Sequence, residues 1–213
     1  DITSARKYWT KSASKGNTKS MLRLASSVNN LSVSKRWLDQ AYSEGDPEAG
    51  SLLAMRNSSQ DPERFFFLAN EAANNNVASG FFIRGWAYYN GIGTNQDKRK
   101  ALESFKKCDS EINCKVLHKI LSNQGNSASS LRALQKELKA LSSQKFVSEM
   151  LPDVVGELYY HLGRSGLKDQ QKNFIKAASL GSPKAISQLC NQFSEGVLSG
   201  SSASQTKAYE YCS

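Results

Sequence analysis

The chain has 213 residues, of which 39% are hydrophobic, and its 28 lysines and arginines against 19 acidic residues give a formal net charge of +9. No stretch approaches the roughly 18 to 20 consecutive apolar residues of a membrane-spanning helix, so we expect no transmembrane helix. Four prolines and 14 glycines are too few for a fibrous or disordered polymer. We therefore expect a folded chain of one or two domains.

The N-terminal segment carries most of the excess charge, because the first 36 residues hold eight basic side chains against one acidic side chain, that of Asp1. In this segment basic residues recur at every fourth position: Lys7, Lys11, Lys15, Lys19 and Arg23. On helices this spacing places neighbours on one face. We call these five residues the basic stripe. Such a stripe attracts a polyanion or an acidic protein surface, and the alternative is an ordinary solvated helix face.

A pattern of an apolar or aromatic residue, small residues and then Gly or Asn recurs along the chain and predicts helix–turn–helix repeats. The residues that mark the predicted turns are Gly16, Gly45, Asn76 and Gly181. We expect a shortened turn near Ile112 and a degenerate unit with its turn near Phe146. Alternating β-branched runs are absent, which argues against a sheet. The pattern predicts an all-α chain of roughly six stacked helix pairs.

Prolines support these predicted helix starts. Pro47, Pro62 and Pro183 stand just after turn signals. The first turn of a helix accepts proline, because the missing N–H would be unpaired there in any case.

The third repeat is rich in aromatic residues. Phe82, Trp86 and Tyr89 share one stripe of a helix, next to the stripe of Phe81 and Tyr88. Five rings exceed what one helix pair can bury. The stripe of Phe82, Trp86 and Tyr89 therefore either packs on the next repeat or lines a groove that anchors a partner.

Two units are clearer than the others. One reads ASGFFIRGWAYYNGIGTNQDKRKALESFKKC from Ala78 to Cys108, and the last reads AISQLCNQFSEGVLSGSSASQTKAYEYC. Each has a Gly or Cys, an aromatic three positions on, a Gly three further and then Lys-Ala. The two units resemble the Sel1-like repeats (SLR), which are relatives of the tetratricopeptide repeats. The first units keep only the second-helix signature, and Arg84 stands where that family prefers leucine.

The resemblance implies one right-handed α-α solenoid over residues 1–213 and a non-enzymatic, protein-binding function. The repeats are degenerate over 1–76, clear over 77–112, degenerate over 113–150 and SLR-like over 151–213. Because both ends look cut within a helix pair, we expect a fragment of a longer chain with further repeats on each side.

The order of segments in the middle of the chain also resembles a family of outer-membrane lipoprotein scaffolds of bacterial alginate secretion. This likeness implies a periplasmic, outer-membrane-associated protein that assists exopolysaccharide modification and export. Its expected partners are envelope proteins such as a porin and a polymer-modifying enzyme, with an anionic polysaccharide as a further candidate. Membrane association would then come only from a lipid anchor outside these residues. The alternative is a general SLR adaptor or a secreted, virulence-associated binding protein.

The four cysteines have a structural interpretation within this resemblance. In the repeat, the site of Gly85 packs on the second helix near the Lys-Ala dipeptide. Cys190 occupies that site and Cys212 lies four residues after Ala208, so these cysteines are expected to form a disulfide. Cys108 and Cys114 flank a turn and could close it with a disulfide. Their spacing does not match that of zinc-ligand pairs. Disulfides would place the chain in an oxidising compartment, and four reduced, buried cysteines are the alternative.

Other functional classes find little support. His161 lies in an aromatic, apolar helix without an accompanying nucleophile, and the carboxylates around Glu44 are typical of solvated or capping positions. We expect no catalytic residue, no metal site and no cofactor. The charge would permit nucleic-acid binding, but no repeated pair of base-reading side chains recurs from repeat to repeat. We therefore expect no nucleic-acid partner.

Overall fold

The computed structural model describes residues 1–57, 61–122, 133, 136, 152–164, 169–194 and 212. The chain forms two compact units, Asp1–Cys108 and Asp109–Ser213. The regular structure within the described residues is α-helical. None of the described helices is long and apolar enough to cross a membrane.

Helices that follow one another in the sequence pack against each other within each unit. Those of the first unit are α1 (Ile2–Ala13), α2 (Thr18–Ser27), α3 (Leu31–Ser43), α4 (Pro47–Asn57), α5 (Pro62–Asn74), α6 (Ala78–Asn90) and α7 (Lys98–Lys107). Those of the second unit are α8 (Ile112–Ser122), α9 (Pro152–Arg164), α10 (Gln170–Ser179) and α11 (Pro183–Ser194). The three prolines predicted at helix starts open α4, α5 and α11.

Four of the turns between helices share one backbone geometry. Their central residues have positive φ angles of 84°, 85°, 60° and 82° at Gly16, Gly45, Asn76 and Gly181. In the first turn the Gly16 N–H donates to the carbonyl oxygen of Ala13 at 2.9 Å, and the Asn17 N–H donates to that of Ser12 at 3.3 Å. The same two hydrogen bonds recur at the other three turns, and they define the Schellman motif. The predicted turn positions are therefore confirmed.

Side-chain caps fix where several helices begin. Asn17, Asn30, Asp61 and Asp97 each accept a hydrogen bond from a backbone N–H in the first turn of the helix that follows. Such caps satisfy amide donors that have no partner inside the helix. The helix α8 begins at Ile112, next to the shortened turn predicted there. The turn predicted near Phe146 lies outside the described residues.

The core of the first unit consists of apolar side chains contributed by successive helices. Met21, Leu38, Leu53 and Leu68 are 0–1% exposed, and each lies on a different helix. Three half-buried aromatic residues, Trp9, Trp37 and Trp86, pack on this core. In the second unit Phe174 and Leu189 anchor a smaller cluster. Each unit therefore buries its apolar surface between stacked helices.

Candidate functional site

A close contact between α6 and α7 sets the geometry of the third repeat. Gly85 on α6 faces the ring of Phe105 on α7, and a Cβ added to this glycine would lie 2.6 Å from Phe105 Cε1. Phe105 is fully buried, so its ring has no room to move away. Arg84 directly precedes Gly85 on α6, and its side chain reaches both neighbouring helices, α5 and α7.

The predicted disulfide occupies the corresponding place in the last repeat. Cys190 and Cys212 are bonded, with their Cα atoms 5.6 Å apart. Cys108 and Cys114 are also in the disulfide-bonded state, and no cysteine is free. The correspondence of Gly85 and Cys190 between the two repeats therefore correctly predicted that Cys190 contacts Cys212.

Arg84 stands at a repeat position that elsewhere belongs to the core. The residues eight positions after the four turn residues are Leu24, Leu53, Arg84 and Leu189. The three leucines are 3%, 0% and 0% exposed, whereas Arg84 is half-buried. One repeat thus carries a cation where its counterparts carry a buried aliphatic side chain.

Neutral groups accept the hydrogen bonds of the Arg84 guanidinium. Its Nε donates to Ser104 Oγ at 3.2 Å, and its Nη1 donates to Asn70 Oδ1 at 3.4 Å and Asn74 Oδ1 at 3.2 Å. Its central carbon lies 5.3 Å from the centroid of the Phe81 ring. Burial lowers the pKa of Arg84, and the nearby Tyr88 and Glu103 oppose that change.

Two lysines extend this cationic region along α7. Lys107 Nζ lies 5.2 Å from the centroid of the same Phe81 ring, and Lys100 Nζ lies 5.3 Å from that of Tyr88. Tyr88 in turn meets Phe66 of α5 edge to face, with the ring centroids 5.2 Å apart. Cations over aromatic faces are favourable because of the ring quadrupole.

These contacts join three consecutive helices into one surface, which we call the α5–α7 surface. It consists of Phe66, Asn70 and Asn74 on α5, Phe81, Arg84 and Tyr88 on α6, and Lys100, Ser104 and Lys107 on α7. On each helix the members are three or four residues apart, so they share one face. The α5–α7 surface combines cations, amides and aromatic rings.

The charge of α7 adds to this surface. The ten residues of this helix, KRKALESFKK, include five basic side chains and one acidic side chain. Lys100 lies 3.8 Å from Asp97. Within the part of the chain that the structure describes, Arg84 and Lys107 have no ion-pair partner. The surface therefore has an excess of positive charge.

The predicted groove aromatics form a ladder of rings. The Phe82 centroid lies 6.4 Å from that of Phe105 and 6.4 Å from that of Trp86, and Trp86 lies 6.0 Å from Tyr89. Tyr89 is 5% exposed, so it belongs to the protein interior. Phe82 and Trp86 are half-buried and pack on the core of the first unit. The packing interpretation therefore fits these rings better than the groove.

The basic stripe is divided between two helices and a turn. Lys7 and Lys11 lie on α1, Lys15 lies in the Schellman turn, and Lys19 and Arg23 lie on α2. All five are exposed. The four-residue spacing crosses the turn at Gly16, so helical periodicity relates the residues only within each helix.

Two members of the stripe have partners within the protein. Lys19 Nζ lies 2.9 Å from Glu48 and 3.7 Å from Asp46, and the hydrogen bond to Glu48 raises the pKa of Lys19 despite some desolvation. Arg23 lies 5.9 Å from the Trp9 ring. Lys7, Lys11 and Lys15 have no ion-pair partner among the described residues.

His161 belongs to an electrostatic network in the second unit. Its Nε2 lies 3.7 Å from Glu157, whose other carboxylate oxygen accepts a hydrogen bond from Lys184 Nζ at 2.8 Å. The network links α9 and α11. Among the described residues no group of three or more His, Cys, Asp or Glu side chains could hold a metal ion.

Sequence reasoning missed the α5–α7 surface. Its members come from three helices, and nothing in the sequence states which faces meet. One signal was visible in the sequence: the five basic residues and one acidic residue of α7 give this helix a net charge of +4. Residues 37–213 taken together are nearly balanced in charge, so their total conceals the local excess on α7.

Comparisons with known proteins place the fold. No protein-family model matches the chain, and no curated protein matches it. The chain is similar to the crystal structure of a Sel1 repeat protein from Oxalobacter formigenes, with 15% identity, a TM-score of 0.58, and coverage of 92% of this chain and 85% of that one. The fold is that of an SLR solenoid.

A second solved structure agrees. A protective antigen present in uropathogenic Escherichia coli strains, which displays an SLR fold, matches with 13% identity and a TM-score of 0.51. The match covers 97% of this chain and 47% of the antigen. The predicted all-α SLR solenoid is therefore confirmed as a fold. The α5–α7 surface lies on three consecutive helices of the first unit of this SLR fold.

Proposed function

We propose that the chain is a non-enzymatic scaffold that binds a partner protein through the α5–α7 surface. Stacked helix pairs present extended surfaces that can hold partners with little rearrangement. The observation that carries the proposal is the position of Arg84. Among the described residues this half-buried cation has no ion-pair partner, which is unfavourable by itself, and its repeat counterparts are core leucines.

The chemistry of this surface supports binding rather than catalysis. Its side chains are cations, amides and aromatic rings, which provide hydrogen bonds and apolar contact area. Ser104, its only hydroxyl besides Tyr88, is 2% exposed and accepts a hydrogen bond from Arg84. A guanidinium is a donor and cannot activate this hydroxyl as a general base would.

Cross-linking tests the proposal directly. A carbodiimide joins lysine amines to carboxylates that they contact, so it can be applied to the tagged full chain in its native cells. We expect mass spectrometry to find partner peptides joined to Lys100 or Lys107, and the double variant K100A/K107A to lose them. The matched control K7A/K11A removes two exposed lysines of α1 and should keep them. Recovery of no protein with the unaltered chain would contradict the scaffold.

We further propose an extracytoplasmic location. Its support is that all four cysteines are disulfide-bonded, a state that oxidising compartments maintain. Blocking free thiols in intact cells before lysis, followed by mass spectrometry, tests it. Cysteines found alkylated would contradict this location.

The narrower proposal is a role in exopolysaccharide modification and export at the outer membrane, with a general SLR adaptor or a secreted binding protein as the alternative. Its support on this chain is the exposed set Lys7, Lys11 and Lys15, which forms no ion pair with any described residue and suits a polyuronate. The degenerate segment that carries much of the likeness to alginate scaffolds, within 113–150, lies largely outside the described residues. Binding of a polymannuronate that K7A/K11A/K15A abolishes would support the role, and equal binding by both proteins would contradict it.

A further inference from the structure

We propose that Arg84 and Lys107 form a receptor for side-chain carboxylates of an acidic segment in the partner protein. The inference rests on the proposed scaffold function and names the chemistry that the α5–α7 surface recognises. It starts from the internal comparison between repeats. Leu24, Leu53 and Leu189 show that an aliphatic side chain fills this position well.

The donor inventory of Arg84 points to a carboxylate. A guanidinium has five N–H groups in a fixed plane. The Nε group and the two groups on Nη1 are used by Ser104, Asn70 and Asn74. Among the residues that the structure describes, the two N–H groups on Nη2 have no acceptor. Arginine pairs especially well with the planar carboxylate group.

The neighbours of Arg84 hold it ready for such a ligand. Three hydrogen bonds and the Phe81 ring restrict the orientation of the guanidinium. The hydrogen-bond partners of Arg84 are neutral, and the nearby Glu103 forms no ion pair with it. A bound carboxylate would therefore form the ion pair that Arg84 lacks among the described residues, in a partly desolvated place where such a pair is stronger than in water. Preorganisation of this kind lowers the entropic cost of binding.

Lys107 supplies a second cation close by. Its ammonium and the Arg84 guanidinium lie 5.2 and 5.3 Å from the centroid of one ring, that of Phe81. Phe81 is 6% exposed, so the ring is a fixed apolar support. A short segment with two neighbouring acidic residues can reach both cations, while Phe66 and Tyr88 offer half-buried rings to its apolar side chains.

The surface fits a protein segment better than a polyanion. A nucleic acid or a polyuronate presents evenly spaced charges, and binding them takes a row of exposed cations along the chain. Arg84 is instead half-buried and framed by neutral amides, which suits one localised negative charge. A polyuronate and an RNA are therefore the competing ligands in the test.

The experiment measures the affinity of the full chain for a fluorescein-labelled oligo-glutamate peptide by fluorescence polarisation at low and moderate salt. The variant R84L restores the leucine of the other repeats and is expected to bind about tenfold more weakly, as a lost hydrogen bond to a charged group predicts. R84K should lie between the two, because it keeps the charge and loses the planar fork. K107A should weaken binding by up to about fivefold, the range of exposed ion pairs.

K11A is the matched control, since Lys11 is an exposed lysine on α1, and it should leave the affinity unchanged. Circular dichroism and thermal unfolding verify that each variant is folded. If R84L is not folded, R84Q replaces it, because glutamine keeps an amide donor for Ser104 and removes the charge.

Two results would overturn the inference: equal affinity of R84L and the unaltered chain for the peptide, or tighter binding of an oligouronate or an RNA that depends on Arg84. The cross-linking experiment separates this failure from that of the scaffold. A partner recovered equally well with R84L removes the carboxylate receptor and leaves the scaffold standing. Recovery of no partner with the unaltered chain removes the scaffold itself.

Discussion

Gly85 lies against the ring of Phe105 at a place in the helix pair where Cys190 is bonded to Cys212 in the last repeat. In α9 and α10 the same kind of contact joins Gly163 to Phe174, where an added Cβ would lie 2.6 Å from the ring. A glycine under an aromatic ring and a disulfide are two solutions to one requirement. The two helices of a pair must approach closely at this point.

The first prediction concerns this approach. G85A should lower the free energy of unfolding by about 1–3 kcal/mol, because the added methyl group overpacks the buried Phe105 ring. Urea denaturation measures the loss. G156A is the control: it also replaces a helical glycine, but its Cβ would find its nearest neighbour at 3.6 Å, an ordinary contact. It should be neutral or slightly stabilising, and an equal loss in both variants would contradict the steric explanation.

The second prediction separates backbone conformation from steric contact. Gly16 and Gly93 have φ angles of 84° and 64°, so alanine is strained at both, by about 1–2 kcal/mol. Around Gly16 a Cβ would find open space, whereas at Gly93 it would overlap the carbonyl oxygen of Pro62. G93A should therefore destabilise the chain by about 3 kcal/mol or more. Similar unfolding midpoints for G16A and G93A would disprove this difference.

The third prediction concerns the disulfide between Cys190 and Cys212, which closes a loop with a sequence separation of 22. C190A/C212A should lose about 3 kcal/mol of unfolding free energy, mainly because the unfolded chain gains freedom. A second variant, C190G/C212F, introduces the pair found at Gly85 and Phe105.

We expect C190G/C212F to be more stable than C190A/C212A and to be insensitive to reductant at this site. Thermal unfolding with and without a reducing agent provides the comparison. If C190G/C212F were no more stable than the alanine variant, the two repeats would not share the same packing requirement.

The fourth prediction concerns the pH dependence of stability. Tyr42 donates a hydrogen bond to the Glu71 carboxylate, and this bond, with burial and the negative charge of Glu71, raises the pKa of Tyr42 to about 12. Its ordinary value is about 10. Because the folded-state pKa is the higher one, the stabilisation is present below about pH 10 and is lost as the pH rises towards about 12.

Unfolding free energies of the unaltered chain and Y42F, measured from neutral to alkaline pH, should therefore converge in that range. E71Q is the companion variant and should return the Tyr42 pKa towards its ordinary value in an ultraviolet absorbance titration. A Tyr42 that ionises at the ordinary value in the unaltered chain would refute the assignment.

The fifth prediction decides between the two interpretations of the aromatic ladder. W86A should destabilise the first unit by about 3 kcal/mol, since Trp86 packs on its core and contacts both Phe82 and Tyr89. Chemical denaturation measures this loss, and the affinity for the oligo-glutamate probe should stay the same in the folded variant. Unchanged stability together with weaker partner binding would instead favour the groove.

The sequence revealed the turns because backbone physics restricts their residue types. A left-handed conformation selects glycine and tolerates asparagine, so Gly16, Gly45, Asn76 and Gly181 stood out at regular spacing. The contact of Cys190 with Cys212 was predictable for a related reason. One repeat needs a small residue at this position because two helices approach closely there. The same position in another repeat is therefore close enough to the facing helix for a disulfide.

The α5–α7 surface could not be predicted in the same way. Arg84 was visible only as a departure from the leucine of related repeats, and its partners Asn70 and Asn74 lie on a different helix. The basic stripe illustrates a different limit of sequence patterns. A four-residue spacing predicts one face only while a helix continues, and the turn at Gly16 interrupts it.

The repeated Schellman turns also determine where the chain can vary in length. Two specific backbone hydrogen bonds close each turn, so an inserted residue would break the motif and misdirect the following helix. The other connections between helices differ in length: residues 28–30 join α2 to α3, while residues 91–97 join α6 to α7. Engineering of this chain should therefore insert tags or reporter domains between residues 28 and 29, ahead of the cap residue Asn30, where a longer linker adds little closure entropy.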